Sequence, residues 1–246
     1  MSLDWRFDAN AHLTFGLLVE ADGRSLFLLA SLGRTVYALT EEGRTAWRLR
    51  TSGPVYALAQ LDGNLLAAGD DAGDVIAFNS RGKQLWKHTL GSRVTALCGN
   101  WQGGLLAGGW DERLSFLSSD GELQWQADLD GPVSGIACWP GLALAATLNG
   151  EAAAFDGDGE EEWRYQTGAP ITTVGTAGSG SDAAAILALQ DGRLLALAPD
   201  GVPIWQQPLG IGAPVWQAAN LTERAGSEIV AGTGGDAPAL ALLSAS

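Results

Sequence analysis

Side chains that could carry out acid–base or nucleophilic chemistry are few in this chain and far apart. His12 and His88 are its two histidines, and they lie in separate parts of the sequence. No serine has the G-x-S-x-G context that exposes a nucleophile on a tight turn. Asp70 and Asp71 could act as a carboxylate pair, but aspartates in a turn more often accept hydrogen bonds from backbone amides. The sequence therefore predicts a protein that is not an enzyme.

Residues able to bind a metal are equally limited. The densest group of carboxylates, DGDGEEE from Asp156 to Glu162, has the alternating aspartates of half a calcium loop but not its remaining ligands. Cys98 and Cys138 are the only cysteines, and they lie in apolar contexts without further zinc ligands. We expect an acidic solvated turn, two small buried thiols that require no oxidising compartment, and neither metal nor cofactor.

Charge and hydropathy restrict the classes of partner. The 246 residues carry a formal net charge of −14 and include only two lysines, Lys83 and Lys87. Nucleic acid and anionic membranes draw their affinity from clustered cations, so they are poor candidates. No apolar run reaches the roughly 18 residues that span a bilayer. The first thirty residues show no signal peptide, so the sequence as it stands predicts a cytoplasmic protein.

Tryptophan recurs at nearly constant spacing. A glycine stands four residues before each of five tryptophans, and an aliphatic residue follows eight residues after the first four. An earlier tryptophan, Trp5, precedes the series by 42 residues. The series comprises Trp47, Trp86, Trp125, Trp163 and Trp205, preceded by Gly43, Gly82, Gly121, Gly159 and Gly201. The recurrence of a glycine, a tryptophan and an aliphatic residue at nearly fixed spacing indicates an internal repeat of about 40 residues.

Each repeat is predicted to form four short strands. Segments of four to six residues rich in Val, Leu, Ile and Ala alternate with Gly- and Asp-containing turns. The first two segments of a repeat are apolar on both faces, which is typical of sheets packed between other sheets. We therefore predict an all-β, six-bladed β-propeller in one domain, with repeats starting near residues 5, 47, 86, 125, 163 and 205. The N-terminal strand around Trp5 is expected to pair with the last blade and close the ring, because open edges favour aggregation.

The strings Gly33–Trp47 (GRTVYALTEEGRTAW), Val75–Trp86 (VIAFNSRGKQLW) and Leu194–Trp205 (LLALAPDGVPIW) resemble the tryptophan-docking repeat of the quinoprotein-dehydrogenase-like (PQQ-like) propellers, in its bacterial form. WD40 repeats are the nearest alternative, although the terminal Trp-Asp dipeptides and Gly-His pairs are absent. The resemblance implies that each tryptophan of the series packs onto the next blade beside a small residue. That residue is Ala38, Ala77, Ala154 and Ala196, with Phe116 in one repeat.

Binding residues are expected on the face where strand four meets strand one and strand two meets strand three. The residue after each aliphatic marker should lie at the mouth of a central channel. These six residues are Thr14, Tyr56, Thr95, Ser134, Thr172 and Trp216. Around them we expect partner contacts from His12, Arg34, Asp71, Arg93, Trp110 and Arg113, because Arg and Trp are favoured at protein interfaces. The alternative is that the mouth only holds water.

Three functions remain open at this stage. The preferred hypothesis is a non-enzymatic, monomeric scaffold that recognises a protein, a peptide or a small ligand on this face. A dehydrogenase that uses pyrroloquinoline quinone (PQQ) is the second hypothesis. The resemblance implies that such enzymes have a vicinal cysteine pair and a set of calcium ligands. This sequence has neither, which argues against the second hypothesis. The third is a structural repeat module within a larger multidomain protein. Fold alone does not choose among them.

Overall fold

The computed structural model describes residues 5–177 and 183–208 in full, and the backbone of three further strands, 215–220, 228–233 and 239–244. All regular structure in these residues is β, and no helix long and apolar enough to cross a bilayer occurs among them. The chain divides into two compact units, 1–126 and 127–246, and each contains three antiparallel sheets.

The first unit contains sheets 1, 2 and 3, each of four strands in sequence order. Sheet 1 consists of β1 (Leu13–Ala21), β2 (Arg24–Ser31), β3 (Thr35–Leu39) and β4 (Thr45–Arg50). Sheet 2 consists of β5 (Val55–Asp62), β6 (Leu65–Asp70), β7 (Asp74–Asn79) and β8 (Gln84–Thr89). Sheet 3 consists of β9 (Val94–Trp101), β10 (Gly104–Gly109), β11 (Arg113–Leu117) and β12 (Leu123–Asp128).

The second unit contains sheets 4, 5 and 6. Sheet 4 consists of β13 (Val133–Trp139), β14 (Leu142–Thr147), β15 (Glu151–Phe155) and β16 (Glu161–Gln166). Sheet 5 consists of β17 (Ile171–Ala177), β18 (Ala184–Leu189), β19 (Arg193–Leu197) and β20 (Pro203–Pro208). Sheet 6 has three described strands, β21 (Val215–Asn220), β22 (Glu228–Thr233) and β23 (Ala239–Ser244).

Burial follows the position of a strand in its sheet. In sheet 2 the middle strands are buried on both faces, whereas the last strand alternates between exposed and half-buried positions. Successive sheets lie side by side through their first strands, β1 beside β5 and β5 beside β9 in the first unit. The second unit repeats this arrangement with β13, β17 and β21. Four-stranded sheets packed in this way are the blades of a β-propeller, so the predicted all-β propeller fold is confirmed.

The tryptophan of a last strand reaches the next sheet. Trp47 in β4 donates its indole N–H to the carbonyl oxygen of Ser80, 2.7 Å away in the turn between β7 and β8. Its ring meets Phe78 edge to face at 5.5 Å and covers Gly82, whose φ of +74° and lack of a Cβ make room for the indole. Trp86 and Trp163 make the corresponding hydrogen bonds to Ser119 and Pro199, both 2.7 Å.

The small residue of the repeat lies opposite the tryptophan within the same sheet. Ala38, Ala77, Ala154 and Ala196 are the register partners of Trp47, Trp86, Trp163 and Trp205, respectively. In sheet 3, where Phe116 replaces the alanine, an aromatic cluster forms instead. The rings of Phe116 and Trp125 are 5.8 Å apart, and Trp101 meets both edge to face at 5.0 and 5.9 Å.

The expected closing strand at the N-terminus is not observed. Residues 5–12 form no strand, and the described part of sheet 6 has three strands rather than four. The segment is held to sheet 1 by other bonds: the Tyr37 hydroxyl donates to the carbonyl oxygen of Ala9 at 3.0 Å, and Leu32 donates its amide to His12 at 2.9 Å. Trp5 nevertheless packs on Gly43 and on Phe27, as Trp47 packs on Gly82 and Phe78.

The two cysteines also differ from expectation. Cys98 in β9 and Cys138 in β13 are both disulfide-bonded, and neither is a free thiol. They are half-buried rather than buried. Treating them as small apolar side chains with free thiols was therefore wrong, because an apolar sequence context does not determine whether a cysteine is oxidised.

Candidate binding surface

All six residues predicted at the channel mouth occupy one backbone position. Each is the extra residue of a β-bulge at the start of the first strand of its sheet. For example, Tyr56 lies between the register pairs Val55–Asp70 and Ala57–Gly69. The other five are Thr14, Thr95, Ser134, Thr172 and Trp216. A bulge re-aims the side chain it carries, so the repeat presents one side chain per sheet in the same way. The side chain of Trp216 lies outside the described residues.

The hydroxyl groups of this set turn back to the backbone. Ser134 donates to the carbonyl oxygen of Ala146 at 3.2 Å, and Thr172 donates to that of Ala188 at 3.0 Å. Thr95 makes the corresponding contact with Gly108 at 3.5 Å, while Thr14 donates to Val55 in the neighbouring sheet. These bonds serve backbone groups that the bulge leaves without a ladder partner. A hydroxyl group that donates in this way retains its lone pairs, so those of Thr14 and Ser134 can still accept a hydrogen bond from a ligand.

Three of the predicted residues come together around a fourth, the arginine Arg93. Arg93, in the loop before β9, forms an ion pair with Asp71 across the gap between sheets 3 and 2. Its guanidinium carbon lies 4.8 Å from the ring centroid of Tyr56 and 5.2 Å from that of Trp110. Trp110 is 51% exposed although it is held in this stack. We call Tyr56, Asp71, Arg93 and Trp110 the arginine cluster.

The loop between β6 and β7 positions Asp71 for this ion pair. The carboxylate of Asp70 is buried and accepts the amides of Gly53 at 2.9 Å, Ala72 at 2.9 Å and Asp74 at 3.0 Å. It therefore ties the loop before β5 to the loop after β6. Asp70 and Asp71 do not form a carboxylate pair, because one holds backbone amides and the other holds Arg93.

The remaining residues predicted to contact a partner lie in neighbouring loops. Arg34 and Arg113 are exposed, and Arg34 has a φ of +56°. Arg34 accepts the amide of Thr51 at 3.1 Å with its carbonyl oxygen, as His12 accepts that of Leu32. Arg113 is the first residue of β11, directly after the loop that carries Trp110.

Asp111 beside Trp110 was not singled out from the sequence. Both carboxylate oxygens are buried and have no hydrogen-bond partner. Burial raises the pKa of this carboxyl, and the nearby backbone N–H groups of Asp111 and Arg113, together with the positive charge of Arg113, only partly oppose the rise. Comparison of the repeats does not mark this residue, because the equivalent position is Gly33 in sheet 1 and Ala72 in sheet 2 but Asp191 in sheet 5.

Two further groups of acidic residues are structural. The Asp156 carboxylate accepts the amides of Asp158 and Glu160, both at 2.9 Å, and so shapes the turn before β16. Asp74 accepts hydrogen bonds from Ser52 at 2.6 Å, Lys87 at 2.8 Å and Thr89 at 2.7 Å. Within the described residues, no group of three or more His, Cys, Asp or Glu side chains is arranged to hold a metal ion.

Comparison with known proteins places the chain in a family. A family model described as "Outer membrane protein assembly factor BamB" matches residues 2–100 and 71–236. The outer membrane protein assembly factor BamB of Burkholderia pseudomallei (strain K96243) is 30% identical over 158 residues, which are 61% of this chain and 41% of that protein. The chain thus spans less than half the length of this curated relative.

A solved structure titled "Structure of U3-55K" superposes with a TM-score of 0.80 at 14% identity, over 96% of this chain and 78% of that one. That likeness concerns the fold alone. The family match covers most of the chain and agrees with the tryptophan-docking repeat in the sequence and in the sheets. The chain therefore belongs to the outer membrane protein assembly factor BamB family of PQQ-like β-propellers.

Proposed function

We propose that this chain is a non-enzymatic scaffold that binds a protein partner through the surface formed by the arginine cluster. The observation that carries the proposal is the exposed indole of Trp110, held in place by Arg93. A rigid, half-exposed aromatic side chain loses little conformational entropy on binding and offers a large contact area. Trp, Tyr and Arg are also the residue types that contribute most to binding at protein interfaces.

The charges of the cluster favour recognition over chemistry. Asp71 and Arg93 are each about one-third exposed, and they neutralise each other beside two aromatic rings. The Asp71 carboxylate and the Arg93 guanidinium are bound to each other, whereas acid–base catalysis requires a group that is available to exchange a proton with a substrate. A partner can cover this surface without leaving an unpaired buried charge, since the pair stays intact underneath it. This arrangement supports a binding role and a protein that is not an enzyme.

The relative from Burkholderia pseudomallei is named for outer membrane protein assembly, so a component of that assembly is the partner we propose. The test replaces Trp110 with the photo-crosslinking residue p-benzoylphenylalanine in the full chain, within a bacterium that assembles outer membrane proteins. A matched control places the same residue at Asp120, in the turn between β11 and β12 at the other end of the strands of sheet 3.

We expect position 110 to give one discrete crosslinked protein and position 120 to give none. Arg93→Ala, which removes the support of the indole, should weaken binding about tenfold, equivalent to about 1.4 kcal/mol. Crosslinking from position 120 alone would place the partner on the opposite surface and refute the proposal. Incubation with pyrroloquinoline quinone and calcium, followed by a dye-reduction assay, is expected to show no dehydrogenase activity.

A further inference from the structure

The first unit has a second candidate site, at the ends of the strands remote from the arginine cluster. A cavity of about 610 Å³ lies between sheets 1 and 2, beside the turn from β1 to β2 and the turn from β7 to β8. Its lining includes the indole of Trp47, the buried side chain of Leu26, and two exposed arginines, Arg24 and Arg81. Neither guanidinium has a hydrogen bond or an ion pair among the described residues.

A buried serine makes the cavity a fixed structure. Ser80 is 8% exposed, accepts the Trp47 indole N–H with its carbonyl oxygen, and donates its hydroxyl to the Asp22 carboxylate. Asp22 is itself held by the side chain of Asn64, which accepts its amide at 2.8 Å. The two turns that carry Arg24 and Arg81 are therefore joined across the gap between the sheets.

Comparison of the repeats shows that both arginines depart from the pattern. Arg81 precedes the glycine of the turn between the third and fourth strands. In the other repeats this position is acidic: Glu42, Asp120, Asp158 and Asp200. Arg24 follows the glycine of the turn between the first and second strands, where sheets 2, 3 and 4 have Asn64, Gly104 and Leu142. Two cations that occur once each among the repeats thus line one cavity.

Electrostatics favour an anionic occupant. The chain carries 28 acidic residues against 14 basic ones, yet these two arginines remain unpaired in a shared cavity. An anion in this cavity gains Coulomb attraction to both guanidinium groups. The planar guanidinium fork binds carboxylates bidentately. The Asp22 carboxylate at the edge repels a doubly charged phosphate more than a singly charged carboxylate, and Trp47 and Leu26 offer apolar contact.

We infer that this cavity binds the carboxylate of an acidic side chain within an extended peptide of a protein partner, with an apolar neighbour against Trp47. The site is distinct from the arginine cluster, and it can exist whether or not the proposed function is correct.

The experiment titrates the full chain with the blocked peptide Ac-Ala-Leu-Glu-Leu-Ala-amide. Binding is followed by the NMR signals of the Trp47 indole N–H and the Gly82 amide. Comparison peptides carry Gln or phosphoserine in place of Glu. The protein variants are Arg81→Asp, which restores the residue type of the other repeats, and Arg24→Asn, which copies Asn64. Both should therefore keep the fold. Arg44→Gln removes an exposed arginine outside the cavity and serves as the control.

We expect the Glu peptide to shift both signals and the Gln peptide to shift neither. Arg81→Asp and Arg24→Asn should each weaken binding about tenfold, and Arg44→Gln should leave it unchanged. Binding should also weaken with added salt. Equal binding of the Gln peptide, no shift at millimolar Glu peptide, or unchanged affinity in both cavity variants would overturn the inference. Tighter binding of the phosphoserine peptide would overturn the assignment to a carboxylate.

Discussion

The indole nitrogen of Trp47 lies 2.7 Å from the carbonyl oxygen of Ser80, 33 residues later in the chain and in the next sheet. This hydrogen bond and the contact with Gly82 join sheet 1 to sheet 2 at the outer edge of the unit. The same two interactions recur with Trp86 and Trp163.

Replacement of Gly82 by alanine tests how much the packing of Trp47 stabilises the fold. A Cβ at Gly82 would lie 2.7 Å from the indole, whereas at Gly23, which also has a positive φ, it would meet nothing within 4 Å. Gly23→Ala should cost about 1 kcal/mol through backbone strain alone. Gly82→Ala should cost about 1–3 kcal/mol more, because the indole must move.

Gly63→Ala is the matched control for both replacements, since its Cβ meets nothing and its φ is not positive. It should change the free energy of unfolding by less than about 0.5 kcal/mol. Urea unfolding of the three variants gives the comparison. Equal losses for Gly82→Ala and Gly23→Ala would mean that the tryptophan does not dock tightly.

Asp111 is expected to destabilise the folded protein at neutral pH. Its carboxylate is buried without a partner, and burial raises its pKa, so the folded state binds this proton more tightly than the unfolded state does. Stability is therefore greatest below the unfolded pKa and is lost as the pH rises through the folded one. Asp111→Ala, which copies Ala72, should gain on the order of 1 kcal/mol at neutral pH and nothing in acid. A loss of stability at neutral pH would show that the carboxylate has a partner.

Asp74 should show the opposite pH dependence. Burial alone would raise its pKa, but the hydrogen bonds from Lys87, Ser52 and Thr89 outweigh burial and hold the pKa below its ordinary value. Its contribution to stability is thus present above the unfolded pKa and is lost as the pH falls through the folded one. Asp74→Asn should cost about 2 kcal/mol at neutral pH. Asp120→Asn, at an exposed turn, should cost almost nothing, and equal losses would contradict the assignment.

The cysteines give a prediction that needs no variant. Because Cys98 and Cys138 are disulfide-bonded, dithionitrobenzoate should detect no thiol in the protein unfolded without reductant. After reduction it should detect two, the full cysteine content. Reduction should lower the free energy of unfolding by about 2–4 kcal/mol. Two reactive thiols in the unreduced protein, purified under oxidising conditions, would contradict this state.

Sequence reasoning located the sheets well because the repeat marks them many times. The spacing from Trp47 to Val55 recurs, so it predicted the position that bears Tyr56, although it did not predict that this position is a bulge. Contacts between sheets were harder to foresee. The pair of Asp71 and Arg93 depends on how sheet 2 lies against sheet 3, and no local pattern encodes that alignment. The prediction that a strand at Trp5 closes the ring was wrong for a related reason. Tyr37 and Leu32 bind the N-terminal segment, which was expected to pair with the last blade.

The indole of Trp47 is supplied by one repeat and used by the next, so neither sheet 1 nor sheet 2 is finished alone. A fragment that ends after β4 would expose the Trp47 indole to water. A fragment that begins at β5 would leave Gly82 uncovered. The same holds for the next pair, because Trp86 of sheet 2 docks on Ser119 and Gly121 of sheet 3. Gene duplication that extends such an array must therefore copy both the tryptophan and the glycine that receives it.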